Sequence, residues 1–202
     1  MAAKIQTVSK KIMRRIYSHK RGWVFVPIDF VDFEGRKPAL KALAKLTSQG
    51  KIRRITKGFY YYPRFHHFLG EVPPDYEQIA KAIARKNGLR IQRTGAYAAN
   101  ILGLSDQVPA QIVFLTDGSS RTVSIGNQRI TFKKTATLYM VTAGRISGLV
   151  IQALRYLGKD SVDHVTINKL KRCLSQKDKK QLFRDISLAP AWISEVIRKI
   201  AQ

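Results

Sequence analysis

Residues 36–62 read RKPALKALAKLTSQGKIRRITKGFYYY, and the fold of the first half of the chain turns on them. Leu40, Leu43 and Leu46, with Ala39 and Ala44, return at intervals of three and four, which predicts a helix over 36–49 with that stripe buried. Lys37, Lys41 and Lys45 recur every fourth residue on another face. Gly50 supplies a C-terminal stop. Residues 52–55 and 59–62 are β-branched and aromatic runs around Thr56-Lys57-Gly58, the pattern of a hairpin with a cationic tip.

Upstream, Ile5, Val8, Ile12 and Ile16 lie at helical spacing with Lys10, Lys11, Arg14 and Arg15 opposite, predicting an amphipathic helix over 5–18. Gly22 ends it, and residues 23–26 form a short strand stopped by Pro27. Asp29 is placed to cap a brief second helix over Phe30, Val31 and Phe33, closed by Gly35. Helix, strand, helix, helix and a basic hairpin in that order are the layout of a winged helix-turn-helix. In that layout the third helix enters a major groove, and the wing lies along the backbone or in the minor groove.

Downstream, Pro63, the pair His66-His67, Gly70 and Pro73-Pro74 read as a linker. The expected domains are therefore 1–68, DNA-binding, and 69–202, α+β. In the second, residues 76–87 are helical, with Ile79, Ala80, Ile83 and Ala84 inward, and Thr94 caps a helix through Leu102. Strand-like runs at 111–115, 122–125 and 129–132, the last two joined by a tight turn at Gly126-Asn127-Gln128, predict a small antiparallel sheet. Helices close the chain. One spans 144–158, Ser175-x-x-Asp178 is a capping-box pattern, and Pro190 is placed in the first turn of a last helix carrying Trp192, Ile193, Val196, Ile197 and Ile200. The fold class expected overall is α+β.

Of 202 residues, 37 are Lys or Arg and 13 are Asp or Glu, leaving a formal charge of +24. Solubility alone is served by a magnitude of about 2–8, so an anionic partner is implied, polyphosphate first. Residues 1–68 hold 16 basic residues against 3 acids, the denser basic region. With 45% apolar residues the chain can bury a core and is not wholly disordered. Cys173 stands alone, so no intramolecular disulfide is available and no zinc site assembles around it. The start, MAAKIQTVSKKIMRR, has no unbroken apolar core of a signal peptide, and no run of about 18 uncharged apolar residues occurs. The expectation is a soluble cytoplasmic protein without membrane contact.

A lysine stripe at fourfold spacing is ordinarily a solvated face. Here the acids that would interleave are absent between Arg36 and Arg54, which favours DNA. Arg36, at the start of the helix, is the candidate base reader, because a guanidinium bonds a guanine edge through two donors. Strand alternation predicts that Phe59 and Tyr61 face the core while Tyr60 and Tyr62 face outward. His66 and His67 are adjacent and point apart, poor geometry for a metal. The run TDGSSR at 116–121 lacks phosphate-loop spacing and reads as a turn. Asp106 and Asp117 are isolated, and Cys173 sits at helical spacing with Leu170 and Leu174 as a packed residue. No acid-base constellation emerges, so no cofactor and no catalytic role is expected. The alternative function is a nuclease or nucleotide-modifying enzyme that holds substrate with the winged helix, and it would need clustered carboxylates for metal ions.

Three stretches, RKPALKALAKLTSQGKIRRITKGFYYYP, LRIQRTGAYAANILGLSDQVPAQIVFLTDGSSRTVSIGNQRITFKKT and SLAPAWISEVIRKI, together resemble the AbiEi-type antitoxins of bacterial type IV toxin-antitoxin systems. The block TGAYAANILGLSDQVPA followed by VFLTDG is the distinctive part. The resemblance implies a winged helix-turn-helix that represses its own promoter and a C-terminal antitoxin domain; because a lone winged helix reads few base pairs, the operator is expected as inverted repeats bound by two copies. The implied partner is a nucleotidyltransferase-like toxin, met directly or opposed functionally. On the family's pattern the DNA-binding residues fall on Arg36, Lys37 and Lys41 in the helix and Arg53, Arg54 and Lys57 in the wing. Lys45 joins them by helical spacing.

Overall fold

Apolar periodicity closes first around the N-terminal helix. In the computed structural model, which describes residues 7–109, 111–125 and 128–201, Ile12, Met13 and Ile16 bury one side of α1 (Val8–Ser18). The expected contribution of Ile5 lies outside the described residues. A two-residue strand, β1 (Val24–Phe25), leads through a 3-10 turn at Pro27–Phe30 into α2 (Arg36–Ser48). Strands β2 (Arg53–Thr56) and β3 (Phe59–Tyr61) follow. The sheet order is β1-β3-β2, antiparallel throughout. Its core gathers Ile12, Ile16, Phe25, Phe30, Leu43, Leu46, Ile52 and Tyr60.

Three local expectations change. The second helix is only the 3-10 turn, and Asp29 is its third residue rather than its cap: the carboxylate turns back to accept the Val26 N–H at 2.9 Å. In α2 the buried residues are Ala39, Ala42, Leu43 and Leu46, whereas Leu40 and Ala44 are exposed, so the apolar stripe is rotated from the expected one. In β3 the alternation does not hold: Phe59 is buried as expected, but Tyr60 is buried beside it. Tyr60 stacks on Phe25 in the core, at a centroid distance of 6.3 Å, while Tyr61 turns its hydroxyl to Glu71. Adjacent residues of a strand point to opposite faces, so both are buried only where both faces are covered.

The stretch expected as a linker is a second hairpin, β4 (Arg64–His66) with β5 (Gly70–Val72). Helix α3 (Tyr76–Lys86) follows, with the Asp75 carboxylate accepting the Glu77 N–H as its cap. The chain separates into two compact units, one of residues 1–89 with 124–129 and the other of 90–123 with 130–202. The boundary thus falls after α3 rather than at 68/69. α3 packs on β1 and the 3-10 turn, and Arg85 of α3 donates to Asp29 at 2.8 Å and to the Val24 carbonyl at 2.7 Å.

The second unit contains β6 (Ile91–Arg93), α4 (Gly95–Ile101) and β7 (Val113–Thr116). β8 (Arg121–Ile125) and β9 (Gln128–Lys134) complete a four-stranded sheet of order β6-β7-β9-β8. The sheet is mixed rather than antiparallel. β6 and β7 run antiparallel, but β9 lies between β7 and β8 and is parallel to β7. That insertion sets Phe114 opposite Phe132, both buried. The expected turn at Gly126-Asn127-Gln128 lies outside the described residues, save the backbone of Gln128.

Helices α5 (Ile146–Leu157), α6 (His164–Cys173), α7 (Gln176–Arg184) and α8 (Ala191–Ala201) enclose a core with α4. α7 begins with the expected capping box, in which the Ser175 hydroxyl accepts the Asp178 N–H and the Asp178 carboxylate accepts the Ser175 N–H. Pro190 precedes α8 instead of entering its first turn, and its carbonyl accepts the Ser194 N–H. The protein is α+β, and no helix among the described residues is long and apolar enough to cross a membrane.

Candidate nucleic-acid interface

Gly35 positions the helix that matters most. Its φ of +91° lies in the region open to glycine, and the chain turns there from Glu34 directly into Arg36, the first residue of α2. Pro38 sits in the first turn, where the missing N–H breaks no helical bond. The outer face then presents Arg36, Lys37, Leu40, Lys41, Ala44, Lys45 and Ser48, all exposed. A face of cations with small and apolar side chains between them suits a major groove, in which guanine offers acceptors and thymine a methyl group.

Sequence alone did not show where the few acids of this unit go. Asp29 is held by Arg85 of α3, at 2.8 Å. Asp32 forms a two-bonded pair with Arg15 of α1, at 2.6 and 2.8 Å. Its carboxyl is held below the ordinary range by hydrogen bonding from that guanidinium, and Arg15 is correspondingly raised. Glu34 reaches Lys11 at 3.4 Å. Each acid of residues 1–68 is therefore engaged by a cation of α1 or α3. Among the described residues no acid pairs with Arg36, Lys37, Lys41 or Lys45.

The hairpin residues divide. Lys57 is exposed at the tip, in a two-residue loop with Gly58 at φ +81°, and Thr56 faces Phe59 across it. Arg54 is exposed and donates to the Thr56 carbonyl at 3.3 Å. Arg53 is bound otherwise: Nε pairs with Glu71 at 3.2 Å, and Nη1 donates to the Gly50 carbonyl at 2.7 Å. Glu71 also accepts from the Tyr61 hydroxyl, whose pKa is pushed up to about 12 by burial and by that carboxylate. Arg53 thus ties the second hairpin to the base of the first. Lys86 of α3, with Nζ 4.7 Å from the Phe59 ring centre, adds a cation that sequence reasoning left out. Only the tertiary placement of α3 could reveal it.

The other candidates resolve into structural roles. Asp117 accepts both the backbone N–H and the Nε of Arg90, at 2.9 and 2.8 Å, and is held below its ordinary pKa by Arg90. In the 116–121 run, Thr116 Oγ1 accepts the Gly118 N–H and Ser120 Oγ accepts the Lys134 N–H, so these groups close the turn. Cys173 is exposed rather than packed, its thiol raised by desolvation of the sulfur. Among the described residues no group of three His, Cys, Asp or Glu side chains could hold a metal ion.

Comparison with known proteins adds a family and a likeness among solved structures. The model described as "Family of unknown function (DUF6088)" matches residues 11–182. No curated protein matches. The crystal structure of the RV2827C protein from Mycobacterium tuberculosis aligns over 99% of this chain and 78% of that one, at 14% identity and a TM-score of 0.40.

Proposed function

We propose that this chain, which belongs to the DUF6088 family, is a sequence-specific double-stranded DNA-binding protein whose first unit is a winged helix-turn-helix. One observation carries the reading: the acids of residues 1–68 are each paired with cations of α1 or α3, and the α2 face is left with cations alone. Such a surface repels itself until polyphosphate neutralises it. Arg36 reads a guanine edge, Leu40 and Ala44 meet thymine methyls or sugar, and Lys37, Lys41, Lys45, Arg54 and Lys57 meet phosphates. Arg53 acts indirectly, holding the wing's base.

The resemblance to AbiEi-type antitoxins extends the proposal to an autorepressor, which by its composition is cytoplasmic and which binds inverted repeats as two copies because a lone winged helix reads few base pairs. On the same basis it counteracts a nucleotidyltransferase-like toxin, with the second unit supporting that role. The direct test is a salt titration of binding to the chain's own promoter. Five phosphate contacts predict that log affinity falls with log salt at a slope of about −4.5 per bound chain, and Lys57→Ala reduces the slope by about 1. Arg36→Ala costs about 1–3 kcal/mol on the operator and much less on random duplex. A flat salt dependence, or equal losses on both duplexes for Arg36→Ala, rejects the assignment.

A further inference from the structure

The second unit carries its own cationic surface, on α7. Lys177, Lys179, Lys180 and Arg184 fall within this nine-residue helix, and Arg198 of α8 stands beside it. Two depressions flank the helix. One, of about 520 Å³, has Arg145, Lys177, Lys180 and Arg184 in its lining with the acid Asp178 among them, and the other, of about 660 Å³, has Lys179, Lys180, Phe183, Arg184 and Arg198. They share Gln176, Lys180 and Arg184, a ridge of one residue per turn along the helix, and so adjoin across it as one cationic path.

The acids on α7 and directly after it are occupied. Asp178 closes the capping box with Ser175. Asp185 is buried and accepts from Ser147, Gln181 and Arg145. Among the described residues no acid pairs with Lys177, Lys179, Lys180, Arg184 or Arg198. Phe183 lies in the second depression with 52% of its surface exposed, while its neighbour Leu182 is buried.

We infer that this path binds single-stranded nucleic acid, with phosphates on the α7 and α8 cations and a base stacked on Phe183. A phenyl ring left open among cations is the pairing that single strands use, because every base has a face to stack. A duplex keeps its base faces inside and has no use for the ring. An acidic protein partner fits less well at Lys177, Lys179 and Lys180, three of the six cations, because lysine is depleted in protein interfaces. Two adjoining depressions suit a chain of several nucleotides better than a mononucleotide. The inference is independent of duplex binding by the first unit.

The test uses the full-length chain carrying Lys37→Ala, Lys41→Ala and Lys57→Ala to silence the first unit. Fluorescein-labelled single-stranded RNA and DNA of about 15 nucleotides, within the usual site size, are followed by anisotropy against the matching duplex. Single strands are expected to bind, and Phe183→Ala to weaken them about tenfold. Phe183→Trp should retain affinity, with its added fluorescence quenched by the oligonucleotide. Lys180→Ala with Arg184→Ala should flatten the salt slope by about 1.4. Phe183→Leu keeps the apolar volume, so a loss of affinity in that variant separates stacking from folding. Absence of single-strand binding overturns the inference, as does unchanged affinity in both Phe183→Ala and Phe183→Leu. Competition by duplex or polyglutamate as effective as by unlabelled single strand also overturns it, and assigns the surface to duplex or to an acidic protein.

Discussion

Gly95 lies where α4 crosses α5, and replacing it with alanine measures how tightly the second unit is built. A Cβ at this position would stand 2.6 Å from the Tyr156 Cβ and 2.7 Å from the Gln152 carbonyl oxygen. The backbone oxygen cannot rotate away, so the helices must part by about 0.8 Å to restore ordinary contact, and a gap of that size forfeits a quarter to a half of the dispersion energy along the seam. The seam is formed by Ala98, Ala99 and Leu102 against Val150, Ala153 and Leu154, all buried. Overpacking of this kind costs about 1–3 kcal/mol, and the better helix propensity of alanine returns up to about 1 kcal/mol. The net expectation for Gly95→Ala is a loss of about 1–2 kcal/mol, a fall in Tm of roughly 3–6 °C. Urea unfolding followed by Trp192, which packs against this core, reads the second unit once Trp23→Phe has removed the other indole. A midpoint unchanged or raised in Gly95→Ala would refute the close approach of α4 to α5.

Asp29→Ala should destabilise the first unit by about 2–4 kcal/mol, since it strips Arg85 of its carboxylate and the Val26 N–H of its acceptor; Trp23 fluorescence in urea is the readout, and a loss under about 0.5 kcal/mol contradicts the pairing. Asp185 is held below its ordinary value of 3.8 because hydrogen bonds from Ser147 and Gln181 and the charge of Arg145 outweigh its burial. Its contribution to stability is complete above that ordinary value and disappears as pH falls through the lowered one, so wild type and Asp185→Asn should differ at neutral pH and converge in acid; parallel curves contradict this. Tyr61, raised from 10.0 to about 12, supports folding below pH 10 and ceases to as pH rises through the upper value. Stability of Tyr61→Phe should therefore decline less than that of wild type between those pH values, and identical alkaline limbs would exclude the effect.

Local periodicity and capping chemistry made much of the molecule legible in the residue order. The helices over 8–18, 36–48 and 146–157, the Lys57-Gly58 turn and the Ser175/Asp178 box each depend on neighbours within a few residues, and such interactions are written in the chain directly. The exposed cations of α2 were readable for the same reason. Tertiary structure decided the phase and the pairing. It turned Tyr60 inward and Leu40 outward, because a repeat identifies a face without saying what covers it. It made a hairpin of the 64–72 stretch and joined α3 to the first unit through Arg85 and Asp29, partners 56 residues apart. It placed β9 beside β7 in parallel, a choice made by burial of Phe114 and Phe132 across strands distant in sequence. Above all it selected which cations meet the acids: Arg15, Lys11 and Arg85 take them, Arg53 takes Glu71, and the α2 face remains unpaired among the described residues. Charge pairing acts through space at a few ångströms, so the residue order sets the excess of cations while only the folded chain determines which of them are left for a partner.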